Sequence, residues 1–233
     1  RLGLLPDLIR HVLSLFEVII KMTFLGIKSR PNIIHCHDTL VLPVGAIVKL
    51  FTNAKLVYDA HELESNRNGL SPFLGKLTFK LEKILWPFVD HLIVVSPSIE
   101  KWYLKNIGDK PVTIILNSPV FPLDVDVYNK NYLYEKFNIP SEKKIFLYIG
   151  IIGKGRGIES ILKVFSKSEI KSHVVFLGFG DLVNKVIEYS EMRSNIHYHA
   201  AVPHKDVVPI AKSASVGLCL VENVSLSDYY CLP

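Results

Sequence analysis

Short runs of β-forming apolar residues alternate along this chain with segments whose apolar residues recur at helical spacing. The first half predicts a helix over 8–27, then strands over 32–36, 55–58, 91–95 and 112–116 with helices between them. The second half repeats the alternation, with strands predicted over 144–149, 173–177, 195–199 and 216–220. Strands that are apolar throughout and joined by helices favour parallel sheets covered on both faces. The pattern therefore predicts an α/β protein with two parallel sheets.

The composition supports two folded domains. With 233 residues, 49% hydrophobic and 21% charged, the chain is long and apolar enough for two modest cores. Between 118 and 143 the sequence becomes rich in Pro, Asp, Asn and Tyr, which predicts a linker with one short helix over 132–137. We place an N-terminal domain over 1–138 and a C-terminal domain over 139–233. The start without Met and the stop at Pro233 indicate cuts through a longer protein.

Charge and cysteine content limit the classes of binding partner and the kinds of site that the chain can have. The net charge of +5 fits a protein that meets anions such as nucleotides or phospholipid. No run of Lys and Arg is interleaved with aromatic residues, so nucleic acid is not an expected partner. The three cysteines are scattered and form no CxxC pair, which argues against a zinc motif or a disulfide framework. Reduced thiols are typical of a cytoplasmic protein.

The first predicted helix, 8–27, is apolar but interrupted. Arg10, His11, Glu17 and Lys21 break the run of about 20 apolar residues that a bilayer span requires, so we reject a span. We expect this helix to be buried against a sheet. Shallow insertion into an anionic membrane surface is the alternative, which would place the protein peripherally on the inner face of the plasma membrane.

A glycine-rich turn follows the apolar strand that begins the second half. Its glycines and basic residues are Gly150, Gly153, Lys154, Gly155, Arg156 and Gly157. Backbone amides in such a turn, at the start of a helix, can approach a phosphate closely. The spacing fits neither a P-loop nor a dinucleotide fingerprint, so the turn is an anion site of another kind or a solvated tight turn.

A second glycine turn, Gly178-Phe179-Gly180, follows the next strand along the chain. Two such turns at the ends of neighbouring strands favour a nucleotide site more than either turn does alone. Tyr230, near the end of the chain, either stacks on a base or packs in the core.

Polar residues collect where the strands of the first half end. They are His37, Asp38, Asp59, His61, Glu62, Ser96 and Asn117. In parallel sheets, ligands bind beyond the carboxyl ends of the strands. Because no helical HExxH follows His35 and His37, we expect polar loop groups rather than a metal site. His61 with Glu62 fits either acid–base or sugar-binding chemistry or a hydrogen-bonded turn.

Seven segments carry a family resemblance. They are IIHCHDTLVLP, KLVYDAHELES, LIVVSPSIEKWY, VTIILNSPVF, FLYIGIIGKGRGIESIL, VVFLGFGDL and SASVGLCLVE. As an ordered set they resemble the GT-B glycosyltransferases, in particular the family 4 retaining enzymes of cell-wall and surface-polysaccharide synthesis. The resemblance implies two Rossmann-like domains facing across a cleft, both incomplete here. The N-terminal domain would hold a glycan or lipid-linked acceptor, and the C-terminal domain a nucleotide-diphosphate sugar.

The resemblance also implies residue roles. Arg156 would meet the donor diphosphate, His61 would face the transferred sugar, and Gly150 would let the diphosphate approach. The other residues expected at the donor are Gly153, Lys154, Gly155, Gly178, Gly180 and Tyr230, and those on the acceptor side are His37, Asp38, Asp59, Glu62, Ser96 and Asn117. No metal or cofactor is implied beyond the donor itself.

Two departures from the family pattern keep alternatives open. Ile151 stands where the family often has a second basic residue, and the ExxxxxxxE segment that holds the nucleotide ribose is not found. A sugar-nucleotide epimerase or hydrolase of the same architecture is one alternative. A non-catalytic sugar-nucleotide-binding subunit is the other.

Overall fold

The computed structural model describes residues 7–117 and 129–231, with the backbone alone for residues 7–12. The chain divides into two compact units: unit 1 comprises residues 1–118 and 225–232, and unit 2 comprises residues 119–224. The predicted boundary at 138/139 therefore falls inside unit 2. The reason is that the short helix over 132–137 packs into the core of unit 2, where Leu133 and Ile139 are buried. Residues 118–128 of the predicted linker lie outside the described residues.

Unit 1 contains a four-stranded parallel sheet, as the alternation predicted. Its strands, in spatial order, are β1 (Ile33–His37), β2 (Lys55–Ala60), β3 (His91–Val94) and β4 (Val112–Ile114). Its helices are α1 (Asp7–Ser29), α2 (Asp38–Thr52), α3 (Pro72–Leu85), α4 (Pro97–Asn106) and α9 (Leu226–Tyr230). The strand β2 runs two residues further than expected, so Asp59 lies within the sheet, in register with His37.

A buried polar network ties three helices of unit 1, α2, α3 and α4, to its sheet. The Glu82 carboxylate on α3 accepts hydrogen bonds from the hydroxyls of Tyr58 at 2.8 Å, Tyr103 at 2.7 Å and Thr39 at 3.2 Å. Burial raises the pKa of Glu82 because the charged form loses hydration there. Hydroxyl donors inside an apolar core limit the cost of burying this carboxyl group.

The expectation that α1 is buried against the sheet is wrong. Most of its described side chains are exposed, among them Phe16, Ile20 and Phe24. The helix packs on α2 rather than on strands, with Gly26 so close that a Cβ there would lie 2.7 Å from Val48. Within the described residues, no helix is long and apolar enough to cross a bilayer.

Unit 2 repeats the parallel arrangement. Its strands, in spatial order, are β7 (Ile196–Ala200), β6 (His173–Phe179), β5 (Ile145–Ile151) and β8 (Val216–Leu218). Its helices are α5 (Tyr132–Phe137), α6 (Ile158–Phe165), α7 (Val183–Met192) and α8 (His204–Ala211). Apolar side chains of β5, β6 and α6 fill one of its cores, including Ile158, Leu162 and Phe176. Cys36 is buried and Cys219 is exposed, and neither forms a disulfide bond within the described residues.

Candidate functional site

The two glycine turns of unit 2 are joined into one structure. Both strands run two residues further than the sequence predicts, so Gly150 and Gly178 pair within the sheet as its register partners. Beyond them, the Ile152 amide donates to the Phe179 carbonyl at 2.7 Å. The Ile152 carbonyl in turn accepts from the Leu182 amide at 3.0 Å. Backbone hydrogen bonds thus join the ends of β5 and β6.

Close packing explains the glycines of the second turn. Gly178 has a φ of +155°, and a Cβ there would overlap the carbonyl oxygen of Gly150. Gly180 has a φ of +145°, and its Cβ would lie 2.5 Å from the Ile152 carbonyl oxygen. A φ in this region also strains any residue with a side chain. Packing alone therefore explains why glycine is required at these two positions, and their donor-binding role remains a prediction.

Gly150 is packed less tightly than these two glycines. Its φ of +142° favours glycine, and the atom nearest to a built Cβ is the Tyr148 hydroxyl at 3.6 Å, an ordinary van der Waals distance. The expected role of Gly150, to let the diphosphate approach, stays a prediction. Gly153 has no positive φ, and its Cβ would meet only the Ile151 side chain at 3.4 Å. Gly153 is thus the least constrained glycine of the turn.

The basic residues of the turn are available to an anion. Lys154 is exposed and Arg156 is half-buried, just before α6 begins at Ile158. Among the described residues, no carboxylate lies within ion-pair distance of either side chain. The nearest acid in sequence, Glu159, is already paired with Lys185. Free cations beside backbone amides at a helix start form an arrangement suited to phosphate groups.

The Tyr148 side chain supports this turn through a hydrogen bond, and the sequence analysis did not identify it. Its hydroxyl donates to the Ile151 carbonyl at 2.8 Å, across the position of Gly150. Burial raises the pKa of Tyr148, while the positive charge of Arg156 opposes that shift. The available signal was a single hydroxyl on an otherwise apolar strand, two residues before the first glycine.

In unit 1, the strand ends bring together a group of side chains that we call the histidine cluster: His35, His37, His61 and Asp59. Asp59 Oδ2 lies 3.0 Å from His35 Nε2 and 3.3 Å from His37 Nδ1. His37 Nδ1 is 2.9 Å from His61 Nε2, which lies 3.8 Å from Asp59 Oδ1. Three of these residues were predicted site residues, and the fourth, His35, was considered only as a metal ligand. The structure brings all four together.

A strained residue and a perturbed carboxyl group lie beside the cluster. Asp38 follows His37 directly and has a φ of +66°, a left-handed conformation uncommon outside glycine. Burial, followed by the negative charge of Asp38, raises the pKa of Glu64 to about 7. Glu64 was not predicted, because its burial depends on the tertiary packing of the loop after β2. A carboxyl group that titrates near neutrality is often found at functional sites.

Two predicted site residues have clear structural partners. The Ser96 hydroxyl is fully buried, accepts from the Ile99 amide as the N-cap of α4, and donates to the Tyr230 carbonyl at 2.9 Å. Tyr230 belongs to α9, and its side chain packs against the core of unit 1. The expected contact between Tyr230 and the donor stays a prediction. Glu62 and Asn117, at the ends of β2 and β4, are exposed.

Comparisons with known proteins agree with this architecture. The sequence profile described as Glycosyltransferase Family 4 matches residues 3–118. An uncharacterized glycosyltransferase of Methanocaldococcus jannaschii is 26% identical over 196 residues, which cover 80% of this chain and 48% of that protein.

Solved structures share the fold. The HepE protein of Anabaena, solved in complex with UDP, has a TM-score of 0.66 at 13% identity, over 86% of this chain and 56% of HepE. Sucrose-phosphate synthase of Thermosynechococcus elongatus has a TM-score of 0.67 at 15% identity, over 88% of this chain and 54% of that enzyme. The chain therefore has the fold of the GT-B glycosyltransferases. It spans about half the length of these relatives.

Proposed function

We propose an activity for this chain from its GT-B fold and from the match of residues 3–118 to the Glycosyltransferase Family 4 profile. The full-length protein transfers a hexose-type sugar from a nucleotide-diphosphate sugar to a glycan or lipid-linked acceptor, with retention of configuration. Its pathway is the synthesis of cell-surface polysaccharide or glycolipid. The observation that carries the proposal is the braced glycine turn of unit 2, with two basic side chains free to meet a diphosphate.

In this proposal the glycine turn stabilises the leaving group. Negative charge develops on the diphosphate as the bond to the sugar breaks, and groups already oriented toward it lower the barrier. Arg156 and Lys154 supply the positive charge, and Gly150, which has no side chain, allows the diphosphate to approach. The structures of HepE in complex with UDP and with UDP-glucose support a nucleotide-sugar donor for this fold.

His61 positions the sugar in unit 1. Its ring is held by His37 at 2.9 Å and faces Asp59 at 3.8 Å, so the imidazole has a defined place at the end of β2. Asp59 and Glu62 fix the loop that carries it, and His37, Asp38 and Asn117 contribute to the acceptor side. The proposed transfer is metal-independent, and it uses no protein nucleophile because front-face transfer relies on the donor's own leaving group.

The direct test is Arg156→Ala in the full-length protein. Loss of one group that stabilises developing charge typically costs on the order of 10²-fold in rate, so we expect sugar transfer to fall by about 100-fold. Lys163→Ala is the matched control, since Lys163 is an exposed cation in the last turn of α6, the helix that follows the glycine turn. Equal transfer by Arg156→Ala and the control would remove Arg156 from the mechanism.

Two alternatives give different products. An epimerase or hydrolase of the same fold would release an epimer or free sugar from sugar nucleotides when no acceptor is added. A non-catalytic binding subunit would bind nucleotide without turnover, an outcome that Ile151, in place of a basic residue, keeps open. Incubation of the full-length protein with sugar nucleotides, with and without acceptor, separates all three.

We further propose that the protein is cytoplasmic and contacts an anionic membrane peripherally through α1. The exposed apolar side chains of this helix, among them Phe16, Ile20 and Phe24, support the proposal. Apolar residues on one surface of a helix with nearby cations favour binding in the plane of a membrane surface. Flotation with anionic vesicles should carry the protein upward, and protein left at the bottom of the gradient would contradict this contact.

A further inference from the structure

We propose that the histidine cluster of unit 1 binds a divalent transition cation of the Zn²⁺ class through His35, His37 and Asp59. This proposal concerns unit 1 alone and does not depend on the proposed transferase activity. It uses residues that the proposed function places on the acceptor side of unit 1, so the cation and the sugar contact of His61 are alternative uses of the same strand ends.

The scaffold of this site is a pair of hydrogen-bonded strands. His35 and His37 are two residues apart on β1, so their side chains leave the same face of the sheet. Asp59 is the register partner of His37 on β2. Ligands on paired strands are held more firmly than ligands on loops, which favours a preformed site.

The spacing of the ligand atoms matches a coordination shell. Asp59 Oδ2 lies 3.0 Å from His35 Nε2 and 3.3 Å from His37 Nδ1, and the three ligand atoms lie within 4.8 Å of one another. In a tetrahedral zinc site with bonds of about 2.0–2.1 Å, neighbouring ligand atoms are about 3.3 Å apart. Two of the three distances between ligand atoms are therefore already close to the value that a tetrahedral site requires. No other group of three such side chains comes this close within the described parts of the chain.

The imidazole rings have room to complete the geometry. The rings of His35 and His37 are stacked, with centroids 4.3 Å apart and planes 22° apart. Their side chains are 43% and 58% exposed, whereas Asp59 is only 10% exposed. The histidines can thus rotate around a carboxylate that is held in place.

The ligand chemistry selects the class of cation. Two imidazoles and one carboxylate suit Zn²⁺, Co²⁺ or Ni²⁺, whereas Mg²⁺ and Ca²⁺ prefer shells made of oxygen ligands. His61 Nε2, 2.9 Å from His37 Nδ1, is placed to become a fourth ligand. If His61 keeps its present position, the fourth position is open to water or another small ligand.

The competing explanation is a hydrogen-bond network with no affinity for metal. In that case Asp59 only accepts protons from its histidine neighbours, and removing one histidine leaves metal binding unchanged. The two explanations therefore differ in a measurable property, the affinity of the protein for the metal alone.

The test is titration of the full chain with Co²⁺, followed by its visible absorption and by calorimetry. We expect one equivalent to bind, and His35→Gln or His37→Gln to weaken binding by about 100-fold or more, since even outer-shell changes cost 10–100-fold. His91→Gln is the matched control, because His91 lies on β3 of the same sheet and bonds to Thr113 at 2.8 Å. His197→Gln tests the other histidine pair, His173 and His197, which lie 3.0 Å apart.

The outcomes are distinct. Loss of Co²⁺ binding in the His35 and His37 variants alone, with unchanged circular dichroism and melting in metal-free buffer, supports the site. A wild-type Kd of about 1 mM or weaker would overturn it. Unchanged Co²⁺ binding in the His35 variant, or binding lost with His197→Gln, would also overturn it.

Discussion

The first two strands of each sheet end in different chemistry. In unit 1 the carboxyl ends of β1 and β2 present polar side chains, the histidine cluster around Asp59. In unit 2 the ends of β5 and β6 bring together the paired glycines Gly150 and Gly178, so backbone groups rather than ionisable side chains meet there. A backbone surface with nearby cations suits a phosphate group, whereas imidazoles and a carboxylate suit hydroxyl groups or a cation. One architecture thus supplies two kinds of recognition.

The largest effect that this comparison predicts is on the stability of unit 2. Gly178→Ala adds a Cβ that overlaps the Gly150 carbonyl, at a φ of +155°. Overpacking against backbone and the strained φ together should cost about 3–5 kcal/mol of unfolding free energy, measured by denaturant titration. Gly217→Ala on β8 is the control, since its Cβ meets nothing within 4 Å. Similar midpoints for the two variants would contradict the backbone brace.

A smaller effect is expected beside the histidine cluster of unit 1. Burial and the charge of Asp38 raise the pKa of Glu64 from 4.5 to about 7 in the folded protein. The stability that its neutral form contributes is therefore complete below pH 4.5 and is lost as the pH rises through 7. Glu64→Gln, which stays neutral, should be more stable than wild type by about 2 kcal/mol at pH 8.

Unfolding curves at several pH values check this expectation. The difference between Glu64→Gln and wild type should disappear below pH 4.5, the unfolded value. Glu62→Gln is the control, because Glu62 is exposed and its replacement should change stability by less than about 0.5 kcal/mol. A difference that stays constant with pH would mean that Glu64 is not protonated in the folded state.

The smallest effect concerns the support beneath the glycine turn. Tyr148→Phe removes the hydrogen bond from the phenol to the Ile151 carbonyl. The loss should be about 1 kcal/mol, typical of one hydrogen bond within a protein. Tyr229→Phe is the control, since that ring is 62% exposed. No change in the Tyr148 variant would show that the sheet alone holds the turn.

The sequence predicted the architecture better than the ends of its elements. Parallel sheets follow from apolar strands joined by helices, and the helix over 132–137 has the bounds that were expected. The strands β2, β5 and β6 are longer than predicted because pairing with a neighbouring strand keeps Asp59, Gly150 and Gly178 within the sheets. Local propensity has no information about that neighbour.

The candidate site was predictable where it depends on local pattern. The glycine turn and the strand-end polar residues could be read directly, whereas the histidine cluster depends on the register between β1 and β2. Ser96 was predicted as a site residue, but its local pattern also had a structural explanation. A serine before a proline is a common N-cap signal, and the structure buries Ser96 as the N-cap of α4. The exposure of α1 could not be predicted, since an apolar helix pattern does not say what covers it.

The central claim is that the glycine turn of unit 2 holds a diphosphate, and calorimetry tests it most directly. Uridine, guanosine and adenosine mono- and diphosphates are titrated into the full-length protein and its Arg156→Ala variant. We expect the best diphosphate to bind wild type at least about tenfold more tightly than its monophosphate, as one charge-assisted contact provides. That preference should disappear in Arg156→Ala and persist in Lys163→Ala. An equal preference for diphosphate in wild type and Arg156→Ala would contradict the claim.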